Sequence, residues 1–275
     1  MKRVFIESSI GQLHAREHNA NVSTGVPLLM LHAAPGSALM LGRLQERFAQ
    51  RTLAIDLPGM GDSDQLPASI ALPNIADFAV PIAEAAAAAF SGASDAYDAY
   101  DVYGTLSGVR VALELANRPG SRVRRVVLDG IGIPKPEQLP ELLTRYAPVF
   151  APDINGNHLL NTFLLCRDQY LFYPWYARDT EHRRPNGLPP AESLHIKVME
   201  SLKSAAAFRD LINAAFRYDV EAQLKLLKQP ALISADGSPI RSDLPVLEFP
   251  PVEPLTCPLD LLHQRAVAIA AFLDG

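Results

Sequence analysis

The sequence predicts an α/β fold in which a mainly parallel central sheet is flanked by helices and interrupted by an inserted helical segment. Short apolar runs alternate with amphipathic or alanine-rich stretches, the rhythm of strand and helix in turn. One run, Pro27-Leu28-Leu29-Met30-Leu31, is uninterrupted, as a strand buried on both faces requires. Residues 100–117 pass from an apolar run, through a sharp turn with Gly104 and Gly108 on either side, into a helical pattern. Such a strand–turn–helix elbow pushes one side chain out at the top of a sheet, beside the positive end of a helix.

The elements follow in order. Residues 1–18 alternate apolar and polar around Gly11 (Val4, Ile6; Leu13, Ala15), predicting an antiparallel hairpin at a sheet edge. The strand at 27–31 ends in His32-Ala33-Ala34-Pro35-Gly36-Ser37, a turn, and a helical stretch runs on through Phe48. Thr52 to Ile55 is the next strand, followed by the loop Asp56-Leu57-Pro58-Gly59-Met60-Gly61-Asp62-Ser63-Asp64. Residues 74–91 read as a helix covering one sheet face. After the elbow, apolar Val109, Val111, Ala112, Leu113, Leu115 and Ala116 continue as a helix, and Arg122 to Leu128 is another strand. Strands are also expected at 230–235 and 246–249, and a closing amphipathic helix at 260–273. Right-handed crossovers join the parallel strands.

Composition narrows the function. The chain has 275 residues, 48% of them hydrophobic and 20% charged, enough to bury a sizeable core. Its net charge of −5 argues against nucleic acid or an anionic membrane as partner. No apolar run approaches the roughly 20 residues of a membrane span. The apolar stretch after Lys2 and Arg3 is cut short by Glu7 and Ser8, so no signal peptide is read and a cytoplasmic protein is expected. Cys166 and Cys257 have no metal-ligand spacing, and no metal, nucleotide or flavin motif is visible; no cofactor is expected.

Three segments carry a family resemblance. Leu31-His32-Ala33-Ala34-Pro35-Gly36 resembles an H-G-x-P-G oxyanion turn, with Ala33 in place of the glycine. Asp56 to Ser63 matches a D-x-P-G-x-G-x-S loop, and Tyr103 to Ala116, followed by Val123 to Asp129, matches a G-x-S-x-G nucleophile elbow with its helix and next strand. The chain resembles the α/β-hydrolase fold in order and spacing over about half its length. The resemblance implies a core formed by 1–132 and 219–275 and a helical cap at 133–218. Within the cap, Tyr146, Phe150, Tyr170, Phe172, Tyr173, Trp175 and Tyr176 would roof a mostly apolar pocket. Its polar candidates are Asp153, His158, Arg167, Asp168, Arg178, Asp179, His182 and His195.

The resemblance also shows where the chain departs. A serine triad needs a hydroxyl, an imidazole to take its proton and a carboxylate to hold the ring. The nucleophile position is Leu106, whose hydrocarbon side chain can neither attack nor accept a proton. Sliding the motif to Ser107 would place Thr105 and Val109 where glycines are needed; otherwise Ser107 is a first-turn hydroxyl that helps cap the helix. The base position falls at Glu253-Pro254-Leu255-Thr256-Cys257-Pro258, with no histidine, and His263 lies inside the last helix. The acid is Asp236 or Asp129, although alignment on Pro239-Ile240 puts Ser238 there. The elements that survive are the backbone N–H groups of Ser107 and Ala34, which the family turns toward the site. His32 stands at the same turn, with a structural role in the family and a catalytic one as the alternative.

Two functions compete. One is an enzyme that handles a small, partly apolar carbonyl or carboxylate compound without a Ser-His-acid triad, as a hydrolase using activated water or as a lyase, decarboxylase or cyclase. Its catalytic candidates are His158, Asp129, His32 and Asp236, with substrate held by Ala34, Leu106, Ser107, Tyr170, Trp175 and Tyr176. The other is a catalytically silent pseudo-hydrolase that binds a ligand or an assembly partner. A homodimer built through the cap fits either.

Overall fold

The computed structural model describes residues 1–22, 25–91, 98–185, 187–235 and 253–275. Seven strands form one sheet in the order β1-β2-β4-β3-β5-β6-β7. They are β1 (Lys2–Ser8), β2 (Gly11–His18), β3 (Leu28–Leu31), β4 (Thr52–Ile55), β5 (Tyr100–Thr105), β6 (Val123–Ile131) and β7 (Ala231–Ala235). β1 and β2 are the expected edge hairpin, with Val4 opposite Ala15, and β2 joins β4 antiparallel. The remaining neighbours are parallel. The expected strand at 246–249 lies outside the described residues.

The apolar runs explain the two-sided core. Along β3, Leu29 and Leu31 join Leu53, Ile55, Val102 and Leu128 in one cluster, under α2 (Ile75–Phe90) and α3 (Gly108–Asn117). Leu28 and Met30 join Ala54, Tyr103 and Val127 on the other face, under the last helix, Leu259–Asp274. Successive side chains of a strand point to opposite faces, so a sheet covered on both sides needs an uninterrupted apolar strand.

The stretch after Ser37, read as one helix, is shorter and divided. It forms a 3₁₀ turn at Ala38–Leu41 and an α-helix, α1, at only Gly42–Gln45. Gly42 at the junction has poor helix propensity; the Asp56 carboxylate accepts from the Ala38 N–H at 2.6 Å and so caps the start of the 3₁₀ turn. α2 begins as its sequence suggests. The Asn74 side chain accepts from the N–H of Ala76 and Asp77, while the Asp77 carboxylate accepts from the N–H of Asn74, a reciprocal capping box.

Between β6 and β7 the chain leaves the sheet. It forms α4 (Leu139–Arg145), α5 (Asn157–Leu171), α6 (Ala191–Lys203), α7 (Ala205–Arg217) and α8 (Val220–Leu226) before returning; the closing helix is α9. Leu165, Cys166, Trp175, Leu194, Phe208 and Ile212 form a separate core there, and Ala34 of the body packs against it. Among the described residues no helix is long and apolar enough to cross a membrane.

Removing the α2 cap tests its contribution: Asn74→Ala is expected to cost about 1 kcal/mol. Urea unfolding should show a lower midpoint with an unchanged m-value; an unchanged midpoint would mean that α2 is held by packing alone.

Candidate active site

The elbow is built by close approach of backbone to backbone. A Cβ added to Gly104 would lie 2.5 Å from the Gly108 carbonyl oxygen, and one added to Gly108 would lie 2.7 Å from the carbonyl oxygens of both Leu31 and His32. Only glycine fits at either position. Between them Leu106 takes φ of +50°, the left-handed conformation that an L-residue adopts at a cost of roughly 1–2 kcal/mol. Its N–H donates to the Asp129 carbonyl at 2.8 Å, which pins the turn to β6. Ser107 has φ of −66° and already belongs to the helix. The apex of the elbow is therefore Leu106, in the register that its flanking glycines give.

Ser107 does not cap its own helix, contrary to the first-turn reading. Its Oγ instead accepts from the N–H of Ala34 at 2.7 Å. One of the two amides expected to meet a substrate oxygen thus meets the serine hydroxyl. Among the described residues no histidine is bonded to that hydroxyl.

His32 is wholly buried and saturated. Its Nδ1–H donates to the Ala33 carbonyl at 2.9 Å, and its Nε2 accepts from the Leu57 N–H at 3.0 Å. Burial holds its pKa below the ordinary histidine value despite the nearby Asp56 carboxylate. This ring ties the turn after β3 to the loop after β4. Asp56 braces the same loop, accepting from His14 Nδ1–H at 2.8 Å and from the N–H groups of Asp62 (2.9 Å) and Ala38 (2.6 Å). Burial works to raise the Asp56 pKa, but these bonds together hold it below the usual carboxylate range. His14, Asp56 and Asp62 bring possible metal-ligand atoms within 4.8 Å of one another, but His14 Nδ1 and the Asp56 carboxylate are bonded to each other and the Asp62 carboxylate pairs with Lys203 Nζ at 3.2 Å.

Asp129 lies beneath the elbow and is fully buried. Its Oδ2 accepts from the Tyr103 hydroxyl at 2.6 Å, and its Oδ1 faces Arg265 Nη1 at 3.0 Å; Arg265 is itself completely buried. Burial pushes the Asp129 carboxyl upward, against the pull of Arg265, Tyr103 and Ser234. The arrangement joins β5, β6 and α9 and leaves the carboxylate no route to a substrate. The other acid candidate, Asp236, lies outside the described residues, as does Ser238.

Above the turn after β3 is a second buried cluster. Lys197 Nζ donates to the Pro35 carbonyl at 2.8 Å and to Glu253 Oε1 at 2.7 Å. The Tyr170 hydroxyl donates to Glu253 Oε2 at 2.5 Å. Burial, reinforced by Glu253, raises the Tyr170 pKa and keeps the phenol protonated. Cys166 Sγ, 3.2 Å from Ser201 Oγ, is likewise held above the ordinary thiol range by burial. Beside the cluster, Pro35, Phe150, Leu165 and Phe208 enclose a cavity of about 20 Å³, the size of one water.

The remaining candidates are dispersed. His158 stays with its own loop: its Nδ1 accepts from the Asp153 N–H at 3.2 Å, and the Asp153 carboxylate accepts from the His158 N–H at 3.2 Å. This is local capping of α5, with no bond to the elbow. Asp168 is buried between Arg167 (2.7 Å) and Arg178 (2.8 Å). His182 pairs with Asp179, while His195 and His263 are exposed on their helices. Trp175 Nε1–H donates to the Tyr146 carbonyl at 2.8 Å within the inserted core. Tyr176 lies under the Arg145 guanidinium, 4.2 Å from its ring centre, and lines a second cavity of about 170 Å³ with Leu142, Tyr173, Pro174 and His182.

Three residues escaped sequence reasoning: Lys197, Arg265 and Arg110. The first two sit in helices with other charges, and only folding shows that they are buried. Arg110 did leave a trace, a lone charge among Val109, Val111, Ala112 and Leu113.

The sequence matches the profile of a family described as the alpha/beta hydrolase family over residues 28–269. No curated protein matches it. Among solved structures, a hydrolase from Pseudomonas aeruginosa PA01 is similar at TM-score 0.70 and 16% identity, covering 100% of this chain and 99% of that one. The enol-lactonase from Burkholderia xenovorans LB400 is similar at TM-score 0.70 and 14% identity, covering 99% and 100%. A thermophilic esterase from Thermogutta terrifontis is similar at TM-score 0.65 and 18% identity, covering 100% and 98%. At such identities the likeness speaks for the fold alone.

The locked state of His32 has a measurable signature. The folded protein resists protonation of this ring while the unfolded chain takes up a proton near pH 6.5. The stability from neutral His32 is therefore complete above pH 6.5 and declines as pH falls below it, by at most about 1.4 kcal/mol per pH unit. His32→Gln should lose about 1–3 kcal/mol at pH 7.5 and show a shallower decline from pH 6.5 to 5 in chemical denaturation. Equal slopes in the two proteins would remove His32 as the titrating group.

Proposed function

Because the chain belongs to the alpha/beta hydrolase family, we propose that it is a pseudo-hydrolase. In this reading the fold is kept as a binding site for a small, partly apolar carbonyl or carboxylate compound, and no acyl-enzyme is formed. The ligand class rests on the apolar Leu106 apex and on the aromatic helices that pack against Ala34 beside it; an enol-lactonase and an esterase stand among the structural neighbours. The observation that carries the reading is the bond between Ala34 N–H and Ser107 Oγ beside a hydrocarbon apex. A covalent mechanism needs a free oxyanion donor and an activated hydroxyl. Here donor and hydroxyl are engaged with each other, and among the described residues no base is bonded to the hydroxyl.

Treatment with a fluorophosphonate probe should give no adduct by intact-mass spectrometry, and p-nitrophenyl esters should be consumed at the buffer rate. An adduct at Ser107 would overturn the reading in favour of a serine esterase with a shifted elbow.

A second reading is favoured by one specific feature. Glu253 stands in the segment where the family's base is expected, and it is buried with Lys197 and Tyr170 against the oxyanion turn. A non-covalent enzyme would use this carboxylate as an acid–base group. If a turnover substrate is found among small lactones or keto acids, Glu253→Gln should lower kcat at least a hundredfold with little change in KM. Retained kcat would return the cluster to a purely structural role.

A further inference from the structure

Helix α3 carries one arginine into the junction between the elbow and the inserted helices. Arg110 is 6% exposed. Its Nη1 donates to the Leu106 carbonyl at 3.1 Å and its Nη2 donates to the Gly132 carbonyl. Its Nε is buried with no hydrogen-bond partner. Among the described residues no carboxylate pairs with it. The titratable groups that act on it are Tyr173, Tyr218 and Tyr146. Burial raises the pKa of Tyr218 and of Tyr146, so those phenols are neutral near pH 7. The nearby Glu114 carboxylate accepts from the Tyr218 hydroxyl at 2.9 Å.

This is an incomplete ion pair. Burial lowers the Arg110 pKa only to about 10, so the group is still a cation at neutral pH. A guanidinium offers five N–H donors in a planar fork, and two carbonyls leave most of that fork unused. Burying a cation without a counter-ion is costly, and the other buried Arg and Lys side chains among the described residues have one: Arg265 has Asp129 and Lys197 has Glu253. The surroundings define the missing group. Tyr173 also lines the 170 Å³ cavity, a space for about one aromatic ring, together with Leu142 and Tyr176. A second guanidinium, Arg184, lies 5.2 Å from the Tyr173 ring centre and also has its Nε buried without a partner.

We propose that Arg110 is the anchor for the carboxylate of a small aromatic acid, whose ring lies among Tyr146, Tyr173 and the adjoining cavity. The anchor rests on the ligand-binding reading above and specifies its ligand class. Arg110 also donates to the carbonyl of Leu106, so a carboxylate held there would sit directly beside the elbow apex.

The full chain should be titrated calorimetrically with benzoate and with benzamide, its neutral counterpart. Benzoate is expected to bind at least tenfold more tightly. Arg110→Gln should reduce benzoate affinity at least tenfold, with Arg110→Lys losing less because it keeps the charge but not the fork. Unchanged benzoate affinity in a folded Arg110→Gln protein would overturn the proposal, and so would equal binding of benzamide or no binding of benzoate by the unsubstituted protein. If Arg110→Gln does not fold, the benzoate–benzamide ratio in the unsubstituted protein decides alone. Ester turnover or a fluorophosphonate adduct would sink the pseudo-hydrolase reading while leaving the benzoate result to judge Arg110, so the two failures are distinguishable.

Discussion

The α-carbon of Gly108 lies against the carbonyls of Leu31 and His32, and the rest of the site depends on that approach. It brings the first turn of α3 under the turn after β3 with no side chain between them. The strained Leu106 backbone, the Ala34–Ser107 bond and the position of Arg110 all follow from that one spacing. A methyl group at residue 108 would have to push the helix off β3, and each of these relations would change together. The elbow geometry is thus a property of the backbone and its glycines, which explains how it persists with leucine at its apex.

Two buried polar clusters brace this frame from opposite sides. Below, Asp129 links Tyr103 and Arg265, so that the sheet and α9 share one charge-assisted contact. Above, Lys197 and Glu253 tie α6 and the segment before α9 to the Pro35 carbonyl. Neither is a simple gain in stability, because desolvating the charges offsets most of their attraction. Their effect is positional. A shift of either helix would leave a buried charge unmatched, so both clusters favour one placement of helix against turn.

Much of the fold was legible because its signals are local. The uninterrupted β3, the hairpin around Gly11 and the paired glycines of the elbow each state their structure within a few residues. The stretch after Ser37 divides at Gly42, a weak helix former whose effect does not show in the spacing of the apolar residues around it. The site is less legible because its contacts join residues distant in sequence. Spacing places Leu106 at the apex, but Ser107 reads as a helix cap, and only the fold shows that its hydroxyl accepts from the Ala34 N–H. His158 and Asp129 are acid–base candidates by residue type. Their partners, Asp153 in the adjacent loop and Arg265 across the sheet, give one a capping role and the other a structural one. Identity and spacing locate a group, but its partners decide its chemistry, and most of those partners are distant in sequence.

The Ala34–Ser107 contact also sets a condition on anything that visits the elbow. The hydroxyl acts as a tethered competitor for that amide, present at an effective molarity that a dissolved compound does not reach. A visiting oxygen can displace it only if the remainder of the molecule contributes more favourable contacts elsewhere. For such a molecule, selectivity would reside in the walls and not in the floor.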